Sequence, residues 1–203
     1  MPSIAIVGAG PAGMAAAAVL AGHGLRPVLV DEAARPGGQI WRQASAPVAL
    51  DRNRLLGRAA AAEFNRAHAA FAAIAQGLDY RPRHLAWSVQ DRELFLAEGA
   101  RITTLRTDLL LLATGATDRL LPVPGWTLPG VFSLGGAQVL LKDQGAAIGR
   151  SVVFAGASPL LYLAALQYRA MGVEVAAVLD TTRLGAKLRA LPGLARSAPG
   201  TLA

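Results

Sequence analysis

The 203-residue sequence contains no cysteine. That absence excludes disulfides, thiolate metal sites, iron–sulfur ligation within this chain and any redox-active dithiol. Lysine is almost missing too. Lys142 and Lys187 are the only two, so arginine supplies 18 of the 20 basic residues behind a formal charge of +7. The arginines are scattered and aromatics make up only 5% of the chain. The clustered basic surface with interleaved aromatics that a nucleic-acid binder needs is therefore absent, and no nucleic-acid partner is expected. Of the three histidines, His23 lies in the turn Gly22-His23-Gly24 and His68 in an alanine-rich stretch. Neither has a second ligand at metal spacing, so both read as surface or packing residues and no metal is expected. One long run, Ile4 to Gly22, carries no charge, but three glycines and a proline interrupt its first half and no basic segment precedes it. It is read as neither a membrane span nor a secretory signal, and the cytoplasm is the expected compartment.

What is present starts at that run. Ile4-Ala5-Ile6-Val7 is apolar and rich in β-branched residues, as a buried strand requires. Gly8-Ala9-Gly10-Pro11-Ala12-Gly13 follows at once, then an alanine-rich stretch to Gly22, then a second apolar run that ends in Asp31. Strand, glycine turn, helix, strand, acid is the order of a dinucleotide-binding βαβ unit. Gly8 permits the tight turn, Gly10 leaves the backbone open to a pyrophosphate, and Gly13 lets the helix lie close to the strand. The N–H groups at the start of the helix, around Pro11 and Ala12, then face the phosphates. Asp31 stands 18 residues after Gly13, near the spacing of a carboxylate that holds a ribose hydroxyl. Glu32 is the neighbouring candidate, and Asp31 is preferred because it closes the run Pro27 to Val30. Gly37-Gly38-Gln39 then offers a loop that can lie against a cofactor.

Further along, residues 50–77 have helical character with only Gly57 inside. From His84 the period changes to alternation, with Asp91-Arg92 as a turn, which predicts a small antiparallel meander. It leads to Leu109-Leu110-Leu111-Leu112 and Ala113-Thr114-Gly115, a buried strand returning to the parallel sheet. Prolines and glycines from Leu120 to Val131 mark a connector. Ser133 to Gln144 reads as a helix. A second βαβ pattern follows: a strand at Val152 to Ala155, a turn from Gly156, a helix from Leu160 to Met171, and a strand from Glu174 to Asp180. Its glycine pattern is degraded, since Ser158 and Leu161 stand where the second and third glycines belong. Gly156, Ser158 and Asp180 are its candidate nucleotide contacts, for NAD(P) or for ATP or ADP, and a purely structural unit is the alternative. The segment after Asp180 ends without a further strand, which reads as the N-terminal part of a longer protein or a truncated reading frame.

These motifs together resemble the flavoprotein superfamily with two dinucleotide-binding domains, which includes thioredoxin-reductase-like and lipoamide-dehydrogenase-like enzymes. The resemblance implies FAD at Gly8, Gly10, Pro11, Ala12, Gly13, Asp31, Glu32, Gly37, Gly38 and Gln39, with Ala113, Thr114 and Gly115 closing on the pyrophosphate region. It implies an α/β, Rossmann-like fold: a parallel sheet with a small β-meander, then an incomplete second Rossmann-like domain. The division expected is residues 1–117 for the FAD domain and 118–203 for the connector and the start of the second. Disulfide reduction is excluded here by the lack of cysteine unless a further part of the chain supplies it. The stretches Pro36 to Gln43, Leu121 to Gln144 and Val152 to Leu161 resemble most the flavin-binding α subunits of opine oxidase and D-hydroxyproline dehydrogenase, and the matching subunit of hydrogen cyanide synthase. That narrower resemblance implies oxidation of a C–N bond in an amino acid or opine, with electrons passed onward and with a catalytic β subunit for partner. A non-catalytic nucleotide-binding scaffold, or an inactive fragment, are the other readings.

Overall fold

The computed structural model describes residues 2–45 and 48–197. The chain forms two compact units, residues 1–146 and 147–203. The boundary expected from motifs, at 117/118, lies within the first unit, in the stretch between the strand Leu109–Leu112 and the helix Leu134–Gln144.

The first unit is built on a parallel sheet of β1 (Ile4–Val7), β2 (Val28–Asp31), β3 (Asp79–Pro82) and β7 (Leu109–Leu112), in the order β3-β2-β1-β7. Register is continuous across it, with Ile6 opposite Leu29 on one side and Leu111 on the other. The runs Ile4 to Val7 and Val28 to Val30 are apolar because both faces of the sheet are covered at β1 and β2. On one face Ile6 and Leu29 meet Met14 and Ala17 of α1 (Pro11–Gly22), Phe71 of the helix α3 (Arg58–Ala75), and Leu78. On the other face Ala5 and Val30 meet Leu94 and Leu96. Those two leucines belong to the middle strand of the antiparallel meander β4 (Leu85–Gln90), β5 (Glu93–Glu98) and β6 (Arg101–Arg106). The parallel Rossmann-like sheet and the meander are both as expected, and Asp91 and Arg92 form the β4–β5 turn with left-handed φ of 49° and 66°. The expectation that Leu109 to Leu112 is a buried strand is corrected: β7 pairs with β1 at the end of the sheet, and Leu109, Leu111 and Leu112 are exposed.

One expected element is corrected. The helical stretch 50–77 is two helices, α2 (Arg52–Leu56) and α3, broken at Gly57. Gly57 adopts φ 82° and Asp51 caps α2 by accepting the Arg54 N–H at 3.0 Å. The strand β3 carries no signal in the sequence. Its residues, Asp79-Tyr80-Arg81-Pro82, carry no apolar run, and they pair in register with Val28 to Asp31.

After the connector comes α4 (Leu134–Gln144), capped by Ser133, whose hydroxyl accepts the Gly136 N–H. The second unit pairs β8 (Ser151–Gly156) with β9 (Glu174–Asp180) in parallel. Between them runs α5 (Pro159–Ala170), and α6 (Leu184–Ser197) follows. Tyr168 of α5 is fully buried edge-on to Phe154 of β8, ring centroids 5.3 Å apart. No helix among the described residues is long and apolar enough to cross a membrane.

Candidate functional site

At the carboxyl ends of the parallel strands three loops converge, which is where an open α/β sheet binds its ligand. The turn after β1 is fixed by backbone sterics. Gly8 has φ 104°, and a Cβ there would run into the Ala113 carbonyl; a Cβ on Gly13 would run into the Gly8 carbonyl. The Ala113 N–H donates to the Val7 carbonyl at 2.8 Å. The loop Ala113-Thr114-Gly115 after β7 is thereby held beside the glycine turn.

Gly10 differs from its two neighbours in the motif. Its φ of −74° is ordinary, and a Cβ there would meet only the Cα of Gly38, at 3.8 Å. Packing within the chain does not demand a glycine at that position. What its absence of side chain leaves is an open approach to the start of α1. That start carries no side-chain cap, and Pro11 occupies the first turn. The Ala12 and Gly13 N–H groups have no acceptor within the helix, so they and the helix dipole are available to an anion.

The Gly37-Gly38 loop stands opposite. Gly37 donates to the Ala9 carbonyl at 2.8 Å. Gly38 lies so near the turn that a Cβ on it would sit 2.9 Å from the Cα of Gly10. Asp31, at the end of β2, is half-buried; its Oδ2 accepts the Ala9 N–H and its Oδ1 accepts the Ala33 N–H at 2.6 Å. Each oxygen keeps a further lone pair for a hydroxyl donor. Glu32 is exposed. Gln39 is exposed too, and its Oε1 accepts from Arg42 at 3.2 Å. The structure thus brings Gly8, Gly10, Pro11, Ala12, Gly13, Asp31, Gly37, Gly38, Ala113 and Thr114 into one region, and leaves Glu32 and Gln39 at its margin.

Several contributors carry no sequence signal. Arg35 donates to the Ala44 carbonyl at 2.6 Å and closes the loop behind Gly37-Gly38. His68 and Gln43 bond the same loop. Lys142 of α4 is buried and donates to Gln138 at 3.1 Å. Burial first, and the Arg42 guanidinium second, hold its ammonium below the ordinary lysine pKa.

The second βαβ unit is different in kind. Ser158 uses its own hydroxyl to accept the Leu160 N–H, so α5 is capped by the protein itself. Leu161 is buried beneath the turn, in the place of the third glycine. Asp180 is already engaged. Its Oδ2 accepts the Tyr162 hydroxyl at 2.6 Å and faces the Lys187 ammonium at 2.7 Å, and its Oδ1 accepts the Thr182 N–H at 2.7 Å. The Lys187 ammonium, with the Tyr162 and Thr182 donors, holds the Asp180 carboxyl far below the usual carboxylate range. Among the described residues no group of three or more acidic, histidine or cysteine side chains is placed to hold a metal.

A parallel sheet bearing a glycine turn, an acid at the second strand end and a meander on its far face is the architecture of a Rossmann-type dinucleotide-binding fold. The chain belongs to the pyridine nucleotide-disulphide oxidoreductase family, which matches residues 2–192; the family is one of FAD-dependent oxidoreductases. An opine oxidase subunit from Agrobacterium tumefaciens is 39% identical over 199 residues, which cover 92% of this chain and 39% of that protein. The hydrogen cyanide synthase subunit HcnB of Pseudomonas protegens is 40% identical over 183 residues, covering 89% of this chain and 38% of that one. The chain therefore spans about two fifths of the length of the curated relatives it matches. Among solved structures, L-proline dehydrogenase from P. horikoshii has the same fold, with a TM-score of 0.69 at 20% identity over 90% of this chain and 36% of that one.

Proposed function

We propose that this chain is the FAD-binding part of a cytoplasmic oxidoreductase subunit that oxidises a C–N bond of an amino acid or opine-like substrate. Electrons then pass onward, and a catalytic β subunit completes the enzyme. The observation that carries the reading is the uncapped start of α1 beside Gly10, where the protein leaves open what its own packing does not require. In this reading the Ala12 and Gly13 N–H groups hold the pyrophosphate and Asp31 holds the adenosine ribose. Gly38 and Thr114 flank the phosphates. Bound FAD would supply the acceptance of hydride from the carbon beside nitrogen, leaving an imine that water hydrolyses. Support for the substrate class comes from relatives that are an opine oxidase and a hydrogen cyanide synthase, each named as one subunit of its enzyme. These 203 residues hold no cysteine, so they themselves supply no disulfide-reducing pair.

The second βαβ unit we propose to be structural. Its helix is self-capped by Ser158 and its acid is neutralised by Lys187. A nucleotide at Gly156, Ser158 and Asp180 would have to displace both.

The test is direct. The purified chain, denatured, is expected to release FAD, and with the partner subunit it is expected to reduce a dye when given an opine or an imino acid. A preparation that releases an adenine nucleotide and no flavin would overturn the FAD reading in favour of a nucleotide-binding scaffold.

A further inference from the structure

His68 lies on α3, yet its ring bonds the Gly37-Gly38 loop from both nitrogens. Nε2 lies 2.9 Å from the Trp41 carbonyl oxygen, and Nδ1 lies 3.3 Å from Gln43 Nε2. The Gln43 amide nitrogen also donates to the Pro36 carbonyl at 3.1 Å. That contact fixes the amide's orientation, since the flipped amide would set oxygen against oxygen. With an N–H of Gln43 pointing at it, Nδ1 must accept. The proton of the ring therefore sits on Nε2, which donates to Trp41. The bonds continue along the backbone. Trp41 N–H donates to the Gly37 carbonyl at 3.0 Å, and Gly37 N–H donates to the Ala9 carbonyl at 2.8 Å, inside the glycine turn. The ring is held in turn by Phe64, one helical turn away, at 4.4 Å between centroids.

We infer that His68, with Gln43, is a positioning residue of the cofactor site, the imidazole with its proton on Nε2 clamping the Gly37-Gly38 loop against the Gly8–Gly10 turn. Pro36 and Trp41 bracket the two glycines, and the clamp holds the carbonyls of both. The loop is otherwise a poor structure-former, because two adjacent glycines carry maximal backbone entropy. Fixing it before the cofactor arrives removes an ordering cost from binding. The inference rests on the FAD reading for its consequence, but not for its geometry.

Two measurements on the whole 203-residue chain separate these. Long-range ¹H–¹⁵N correlation spectra should show His68 as the neutral ring protonated on Nε2, the signal being identified by its loss in His68→Gln. FAD titration should show His68→Leu binding about tenfold more weakly than the wild type, the scale of one or two lost hydrogen bonds. His68→Gln, whose amide nitrogen can reach the Trp41 carbonyl, should recover most of that loss. Gln43→Leu is the second arm and should weaken binding in the same direction, whether or not His68→Leu folds. A ring protonated on Nδ1 would overturn the clamp. So would a cooperatively folded His68→Leu or Gln43→Leu chain that binds FAD as tightly as the wild type. A wild-type chain with the expected tautomer but no uptake of FAD would instead overturn the FAD reading and the positioning role that depends on it.

Discussion

The three glycines of the motif do different work, and the difference is measurable. Gly8 and Gly13 are required by the fold, since a Cβ on either would collide with a backbone carbonyl. Gly13→Ala should therefore destabilise the chain by about 1–3 kcal/mol or more, the scale of overpacking in a closed site, and should lower the thermal midpoint with or without cofactor. Gly10→Ala has room, so its melting should stay within about 0.5–1 kcal/mol of the wild type, the ordinary range for glycine replacement. Its FAD affinity should fall sharply, because the added methyl group occupies the approach to the phosphates. Equal FAD binding by Gly10→Ala would remove that assignment. Asp31 combines both roles. Replacement by Ala frees the Ala9 and Ala33 N–H groups and should weaken FAD by roughly 1–3 kcal/mol, as the loss of a charge-assisted acceptor does. Glu32→Ala, on an exposed side chain, should leave the titration unchanged. A larger effect at Glu32 than at Asp31 would reverse the two roles.

At the scale of elements, the helix starts and the strand ends distinguish the two βαβ units. Ser158 caps α5, so Ser158→Ala should cost about 0.5–2 kcal/mol of stability in the second unit, the usual value of an N-cap, and should leave FAD affinity alone. A weakened nucleotide affinity in that variant would point back to a working second site. The last turn of α4 carries a different liability. Lys142 is buried with its ammonium beside Arg42, so its folded pKa lies below the unfolded value of 10.5. The unfolded chain then binds more protons between those two values, and stability rises as pH climbs through that window. Lys142→Met should remove that slope and raise stability near neutral pH by an amount on the order of 1 kcal/mol. Denaturant midpoints with the same alkaline slope in both chains would show that the ammonium is not desolvated.

These same elements explain what the sequence disclosed. β1, β2, α1 and the meander were legible because an apolar run, a glycine spacing and an alternation each follow from a local constraint. β3 was not, because an edge strand of Asp79-Tyr80-Arg81-Pro82 is held by pairing to β2 and by Tyr80 packing edge-on to Phe71, 5.5 Å away. Gly57 was visible as a residue, but its left-handed φ, which ends one helix and starts the next, was not. In the proposed cofactor site, the convergence of the glycines and Asp31 at one strand end could be read from spacing. His68 and Gln43 could not, since their partners are mostly backbone carbonyls, which leave no trace in side-chain identity.

For the molecule as a whole, the two compact units make a ligand's effect separable. A ligand that binds only the folded first unit stabilises that unit by mass action, about 2.7 kcal/mol at a hundredfold excess over its dissociation constant. Native-state hydrogen exchange reads the two units separately, because amides report the opening of the cooperative unit they belong to. With FAD present, the amides of the fully buried residues Ile6 of β1 and Leu29 of β2 should exchange about 100-fold more slowly at that excess. The amides of Phe154 and Val178, in β8 and β9, should be unmoved by FAD. They should also be unmoved by NAD(P) or ATP, because Ser158 and Lys187 already occupy the groups those ligands would use. Slowing at Phe154 and Val178 on addition of NAD(P) or ATP would restore Gly156, Ser158 and Asp180 as a nucleotide site. It would also mean that the Asp180–Lys187 pair opens to admit the ligand. Slowing confined to the first unit would leave its glycine turn as the chain's nucleotide cradle and the second βαβ unit as a structural repeat of it.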